Sequence, residues 1–186
     1  MTVLVDEAIW PWRGRRWAHL VSDRELDELH DLAHGIGLPF LSFQGDHYDV
    51  HEELRGRAID RGAVPTPARQ LVRSLREAGL RHKASLAPWV WQGEAASTSR
   101  TITEALDDAR PTAEEDRDRC AAALVGLGTD GRIRVAHREG LHVVVASVHI
   151  ERDIPTGLER LSPTLAIHRA VGERGSFVEV SHSVEA

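Results

Sequence analysis

Runs of apolar residues broken by turn formers alternate with helix-spaced apolar positions through the first eighty residues. "TVLVD" (2–6) is a short β-branched run closed by an acid, which predicts a buried strand. "WPWRGRRW" (10–17) predicts a loop, because Pro11 and Gly14 interrupt any period, and "WAHLVS" (17–22) predicts a second strand. Ser22 and Glu25 form a capping box ahead of Leu26, Leu29, Ala33 and Ile36 at helical spacing, with Gly35 and Gly37 as the stop. "PFLSF" (39–43) is a third strand candidate. A helix is expected from about Val50 to Arg61, and after "AVPTP" an amphipathic helix around Leu71, Val72 and Leu75, stopped at Gly79. Strands alternating with helices predict a small α/β layer with a mostly parallel sheet. A direct antiparallel hairpin between 2–5 and 17–21 is the alternative at its start, since parallel neighbours need a crossover of a dozen or more residues.

The pattern then changes. "TITEALDDAR" (101–110) predicts a short helix closed by Pro111, and Thr112 with Glu115 a capping box that opens a helix to about Leu127. "TDGRIRVAHREGLHVVVASVHI" (129–150) and "TLAIHRAVGERGSFVEVSHS" (164–183) predict two antiparallel hairpins, turning near 138–140 and 172–175. All five tryptophans lie before residue 92, and the second half is rich in valine, alanine and threonine. The expected division is an α/β unit at 1–82, a linker or crossing segment at 83–96 ("APWVWQGEAASTSR" overlaps it), and an α+β unit at 97–186.

Composition narrows the function classes. With 186 residues, 41% hydrophobic and 28% charged, the chain has the make-up of a soluble globular protein. A formal charge of −6 argues against non-specific coating of nucleic acid but leaves room for a local basic patch. The one cysteine, Cys120, excludes an intrachain disulfide and reads as a packed small residue in a helix. No apolar run approaches the roughly 18 residues of a membrane span. The start "MTVLVDEAIW" has acids where a signal peptide needs a basic then apolar stretch, so the cytoplasm is the expected location.

The candidate chemistry gathers in the first unit. Asp6 closes the first predicted strand, Asp23 follows the second, and His47 and Asp49 follow the third. Ligands favour the C-terminal edge of parallel strands. There, Asp6, Asp23, His47 and Asp49 are candidate ligands of a divalent metal, and Asp6, His19, His47 and Asp49 candidates for acid/base work on a phosphate ester. Against this, Ser22 and Asp49 are good N-caps, Asp49 with Glu52 makes its own capping box, and His30 and His51 read as solvated helix residues. The loop residues Trp10, Trp12, Arg13, Arg15 and Arg16, with Tyr48, are candidates for binding a ring and a phosphate. Loop tryptophans also plug core ends. In the second unit, two helices followed by a hairpin bearing Arg132, Arg134, His137 and Arg138 have the order of a winged helix, although "AEEDRDR" (113–119) is too acidic for a recognition helix.

The motifs "TVLVDEAIW", "HLVSD", "ELHDLAHGIGL", "DHYDV" and "RGAV", in that order, make the first eighty residues similar to the N-terminal module of bacterial proteins catalogued as domain of unknown function 4031. The resemblance implies that Asp6, His19, Asp23, His47, Tyr48 and Asp49 sit at positions matching the family's motifs. It implies no activity, and residues 95–186 resemble no known family. The expected function is a metal-assisted hydrolase of a phosphoester, nucleotide or nucleic acid, in the first unit. The alternative is a non-enzymatic module that binds a ligand or partner, with a winged-helix-like C-terminal unit for DNA or dimer contacts. Either admits a homo-oligomer.

Overall fold

Val3–Val5, three buried apolar residues, form strand β1 in the computed structural model of the chain, which describes residues 2–81, 88–109, 113–128, 130–138, 141–148, 154, 156–172 and 175–183. The chain makes two compact units, Met1–Leu86 and Ala87–Ala186. In the first, β2 (Trp10–Trp12) and β3 (Arg15–Ser22) follow β1. All three belong to one hairpin: β3 pairs antiparallel with β1 through Val3–Ser22 and Val5–Leu20, and with β2 through Trp10–Trp17 and Trp12–Arg15. The expected loop at 10–17 is therefore a two-residue hairpin turn. Arg13 (φ 49°) and Gly14 (φ 74°) both take the left-handed conformation that matches strand twist. Between the two paired stretches the first strand carries three residues, Glu7, Ala8 and Ile9, opposite the single Ala18.

Helix α1 (Leu26–Gly35) follows a turn in which Ser22 Oγ accepts the N–H groups of Arg24 and Glu25 at 2.9 Å. The third expected strand, 39–43, is instead a single 3-10 turn, Phe40–Ser42, because its aromatics fold inward around His30. Strand β4 lies later, at Tyr48–His51, antiparallel to β3 on the edge away from β1. Helix α2 (Glu52–Asp60), strand β5 (Val64–Pro65) and helix α3 (Ala68–Glu77) complete the unit. Among the described residues of this sheet β5 pairs in parallel, with β1, whereas β4 returns through α1 and still pairs antiparallel. The sheet is thus mixed and largely antiparallel, not mostly parallel.

Its two faces are covered unequally. Val3, Val5, Ala18 and Leu20 pack under α1 and α2 with Leu29, Ala33, Leu54 and Ala58. On the other face Leu4 and Val21 meet Leu71 and Leu75 of α3. Each buried leucine contributes about 1.5–3 kcal/mol relative to exposure. That second face continues past α3 along β3 to His19, Trp17 and Arg15, and this continuation carries the chemistry.

The second unit opens with β6 (Val90–Ala96), then α4 (Ser99–Ala109), α5 (Glu114–Val125), β7 (Arg132–Arg138), β8 (Leu141–Ser147), β9 (Gly157–Ser162), β10 (Leu165–Gly172) and β11 (Gly175–Ser183). The strands form one antiparallel sheet in the order β6-β7-β8-β11-β10-β9. Both expected hairpins are present, as β7–β8 and β10–β11. Residues 90–96 are an edge strand rather than linker, and β9 supplies the other edge. The helices cover one face with Ile102, Leu106, Cys120 and Leu124. Arg132 and Arg134 lie within β7 and face Glu94 of β6 at 3.8 and 3.7 Å, while Arg134 also stacks on Trp91. Arg132 opens β7 and Arg134 lies within it, both towards the end of the hairpin away from its turn, so they do not form the exposed tip of a wing. The expected cap at Thr112, the hairpin tips at 139–140 and 173–174, His149 and linker residues 83–87 lie outside the described residues. Among the described residues no helix is long and apolar enough to cross a membrane.

Burial, helped by the charges of Asp116 and Glu159, pushes the Cys120 thiol up to about 12. At pH 8 its thiolate fraction falls about a thousandfold below that of an ordinary cysteine. Ellman's reagent should therefore leave Cys120 unmodified in the folded chain and react within minutes in denaturant. Fast modification without unfolding would contradict this packing.

Candidate metal centre

Strand pairing assembles the site from distant stretches of sequence. The β3–β4 register sets His19 opposite Asp49. On the other edge of β3, the first hairpin sets Asp6 beside His19, with Asp6 N–H donating to the His19 carbonyl at 3.2 Å. Asp6 then uses both carboxylate oxygens on this one residue: Oδ1 accepts the His19 backbone N–H at 2.7 Å and Oδ2 lies 2.8 Å from His19 Nδ1. Arg55 Nε donates to the Asp6 carbonyl at 2.6 Å, tying α2 to the same point.

A tight turn supplies the second histidine. Gln44 N–H donates to the His47 carbonyl at 2.8 Å, and Gly45 takes the φ of 97° that the turn requires. The turn holds Asp46 inward, where its Oδ1 sits 2.5 Å from His47 Nδ1 and its Oδ2 accepts from Arg81 Nη1 at 3.1 Å. His47 Nε2 lies 3.6 Å from Asp49 Oδ1, and the His19 and His47 rings are 5.4 Å apart.

Both imidazoles thus have Nδ1 against a buried carboxylate, which sets a tautomer with Nε2 as the acceptor nitrogen. His19, His47 and Asp49 each offer a ligand atom, all within 4.8 Å of one another. In a tetrahedral site with bonds of ~2.1 Å the ligand atoms lie ~3.4 Å apart, so a modest closure of side chains completes it. The three side chains are 32%, 22% and 48% exposed, so the centre opens to solvent. Burial pulls the His47 pKa down, but the Asp49 carboxylate close by and the hydrogen bond and charge of Asp46 outweigh it, leaving it above the ordinary value. The His47 imidazole close by holds Asp49 below the usual carboxylate range. A bound cation would compete with the second proton of His47.

The sequence-derived candidates separate accordingly. His19, His47 and Asp49 come together. Asp6 stands behind His19, with both carboxylate oxygens turned to that residue. Asp49 is not a helix cap: it lies in β4, and α2 starts at Glu52 with no side-chain cap bond. Asp23 drops out, at the far end of β1, where its Oδ1 and N–H bond the N–H and carbonyl of Thr2, each at 3.2 Å. Tyr48 is fully buried with its hydroxyl 2.8 Å from His30 Nδ1, so it presents nothing to a substrate. His30 and His51 are buried as well, the latter against Trp17 at 5.6 Å, and are not solvated helix residues. Trp10 and Trp12 are exposed and do not plug the core. Arg13, Arg15 and Arg16 surround the turn beside them, all exposed. Sequence reasoning missed Asp46, Arg55 and Arg81. For Asp46 the available signal was an acid directly before His47.

No curated protein and no solved structure matches the chain. Residues 3–78, which hold every side chain of this centre except Arg81, match the family described as Protein of unknown function (DUF4031), and the C-terminal unit lies outside that match.

Proposed function

We propose that the N-terminal unit is a metal-assisted phosphoester hydrolase, with Nε2 of His19 and of His47 and a carboxylate oxygen of Asp49 as the metal ligands. The observation that carries this reading is the pair of carboxylate–histidine contacts, Asp6–His19 and Asp46–His47, converging with Asp49 at one solvent-open point. Histidine ligands in metal sites are held in this way through their other nitrogen. Two imidazoles and one carboxylate favour Zn²⁺ or another divalent transition metal over Mg²⁺, which prefers oxygen. Three protein ligands leave a position for water, whose pKa such a metal lowers towards neutrality, and for a phosphoryl oxygen. Arg13, Arg15 and Arg16 would draw in the substrate's negative charge.

The test begins with metal-stripped protein, titrated with Zn²⁺, Mn²⁺ and Mg²⁺ while melting temperature and hydrolysis of bis(p-nitrophenyl) phosphate are followed. Zn²⁺ or Mn²⁺ should raise the melting temperature and support turnover. An absence of any response to transition metals would sink the reading. Exposed Trp10 and Trp12 favour a second reading, ligand capture without turnover, for which a ligand-dependent thermal shift with no hydrolysis would be diagnostic.

Asp46→Asn tests the orienting role. It keeps a hydrogen-bond acceptor for His47 but removes the charge, so metal affinity should fall ~10–100-fold. Calorimetric titration with Zn²⁺ reads this directly, and an unchanged affinity would make Asp46 a structural partner of Arg81 only.

A further inference from the structure

The first hairpin carries its aromatic side chains on the same sheet face as the candidate centre. Alternation along β3 puts Arg15, Trp17 and His19 on that face, and their partners across the hairpin are Trp12, Trp10 and Asp6. The Trp10 ring meets the His19 ring at 5.6 Å, the Trp12 ring meets Trp17 at 5.4 Å, and the Arg13 guanidinium lies 4.4 Å from the Trp12 ring centre. Tryptophan ordinarily contributes by burying its indole. Trp10 and Trp12 nevertheless keep 61% and 53% of their surface exposed, at a turn whose geometry needs neither.

We propose that this hairpin is a stacking platform for single-stranded nucleic acid, and that the bound strand lays a backbone phosphate against His19, His47 and Asp49. The destination of the phosphate rests on the hydrolase reading; the binding does not. Indole faces stack on any base, each such contact strengthening binding roughly 5–100-fold, and arginines supply phosphate neutralisation and cation–π contacts. Three arginines beside the tryptophans make a local basic spot on a chain of net charge −6, suited to a short run of phosphates and not to a coated polymer. A duplex keeps its bases stacked on one another and offers none to an indole without unstacking. A mononucleotide would need one ring. Here the Trp10 and Trp12 levels are two residues apart along a strand, about 7 Å, and both lead away from the centre. That arrangement fits successive bases of one strand, as sheet-borne aromatics do in other single-strand binders.

Binding is measured on the full chain in EDTA, so that no turnover intervenes, with fluorescein-labelled dT12, U12 and a 12-base-pair duplex, and with AMP as competitor. Either single strand should bind and quench tryptophan emission. Trp12→Ala should weaken binding about 5–100-fold and Trp12→Phe should restore part of it. Replacing Arg13, Arg15 and Arg16 together by alanine should flatten the salt dependence by about two in log–log slope. Equal affinity in Trp10→Ala/Trp12→Ala, tighter binding of the duplex, or competition by AMP as strong as by unlabelled dT12 would overturn the platform. Trp12→Ala should keep the thermal response to Zn²⁺. Strand binding without any metal response would leave the platform standing and remove the hydrolase, and the converse result would do the reverse.

Discussion

Asp49→Asn is expected to erase most of the stability that Zn²⁺ confers. A metal at a hundredfold excess over its dissociation constant adds ~2.7 kcal/mol to a folded state that binds it alone. For a unit of this size each kcal/mol moves the melting temperature by about 4–8 °C, so the parent should gain roughly 10–20 °C. Asn has nearly the shape of Asp but no charge, and Asp49 is the one carboxylate of the three proposed ligands. The variant's gain should shrink to about a quarter or less, with hydrolysis falling alongside it. Without metal the two proteins should melt alike. Asp49 is half exposed, its contact to His47 is 3.6 Å, and such pairs are worth about 0–1 kcal/mol. Scanning fluorimetry with and without Zn²⁺ decides the matter: an undiminished shift would place the metal elsewhere.

A second large effect should come from the opposite face of the same strand. Leu20 has no exposed surface and packs among Val5, Leu29 and Val50 in the core of the first unit. Leu20→Ala should cost ~2–5 kcal/mol, through lost transfer energy and the cavity left behind. That is a large share of the roughly 5–15 kcal/mol that holds a domain folded. Ile9→Ala, at an exposed position, should change stability by less than about 0.5 kcal/mol. Urea unfolding of both variants provides the comparison, and a cost below ~1 kcal/mol for Leu20→Ala would contradict the packing described. Because β3 carries His19 next to Leu20, the same variant should also weaken its response to metal.

The residues that form the site were legible before their roles were. Asp6, His47 and Asp49 stand out as titratable groups at strand ends, and His19 as one within a strand. Strand pairing alone distinguishes Asp6, which turns both oxygens to His19, from Asp49, which faces the open side. Asp46 escaped notice because its second partner, Arg81, lies 35 positions away. Alternation in "WAHLVS" revealed β3, but the turn before it was concealed. Arg13 is an unusual occupant of a left-handed position, and Pro11 reads as a breaker although β2 pairs on one side only, where a missing N–H is tolerated. Phe40 and Phe43 look like strand residues because a short apolar run has no readable period. Strands β6 and β9 sit at sheet edges with mostly exposed or half-buried side chains, so neither leaves the apolar alternation by which strands are recognised.

Insertions and deletions in the first hairpin should be absorbed by its spacer. Glu7, Ala8 and Ile9 bridge Asp6 and Trp10, while Ala18 alone bridges His19 and Trp17. The three are not extended strand, since the Ile9 N–H turns back to the Glu7 carbonyl at 2.9 Å, so losing one would leave two residues opposite Ala18, a bulge that keeps Trp10 against Trp17. Losing two would restore an unbroken ladder with both indoles still beside the histidines. The length of this spacer is therefore decoupled from the faces of the strands it joins, and Ala8 deleted alone should leave both indoles exposed beside the histidines.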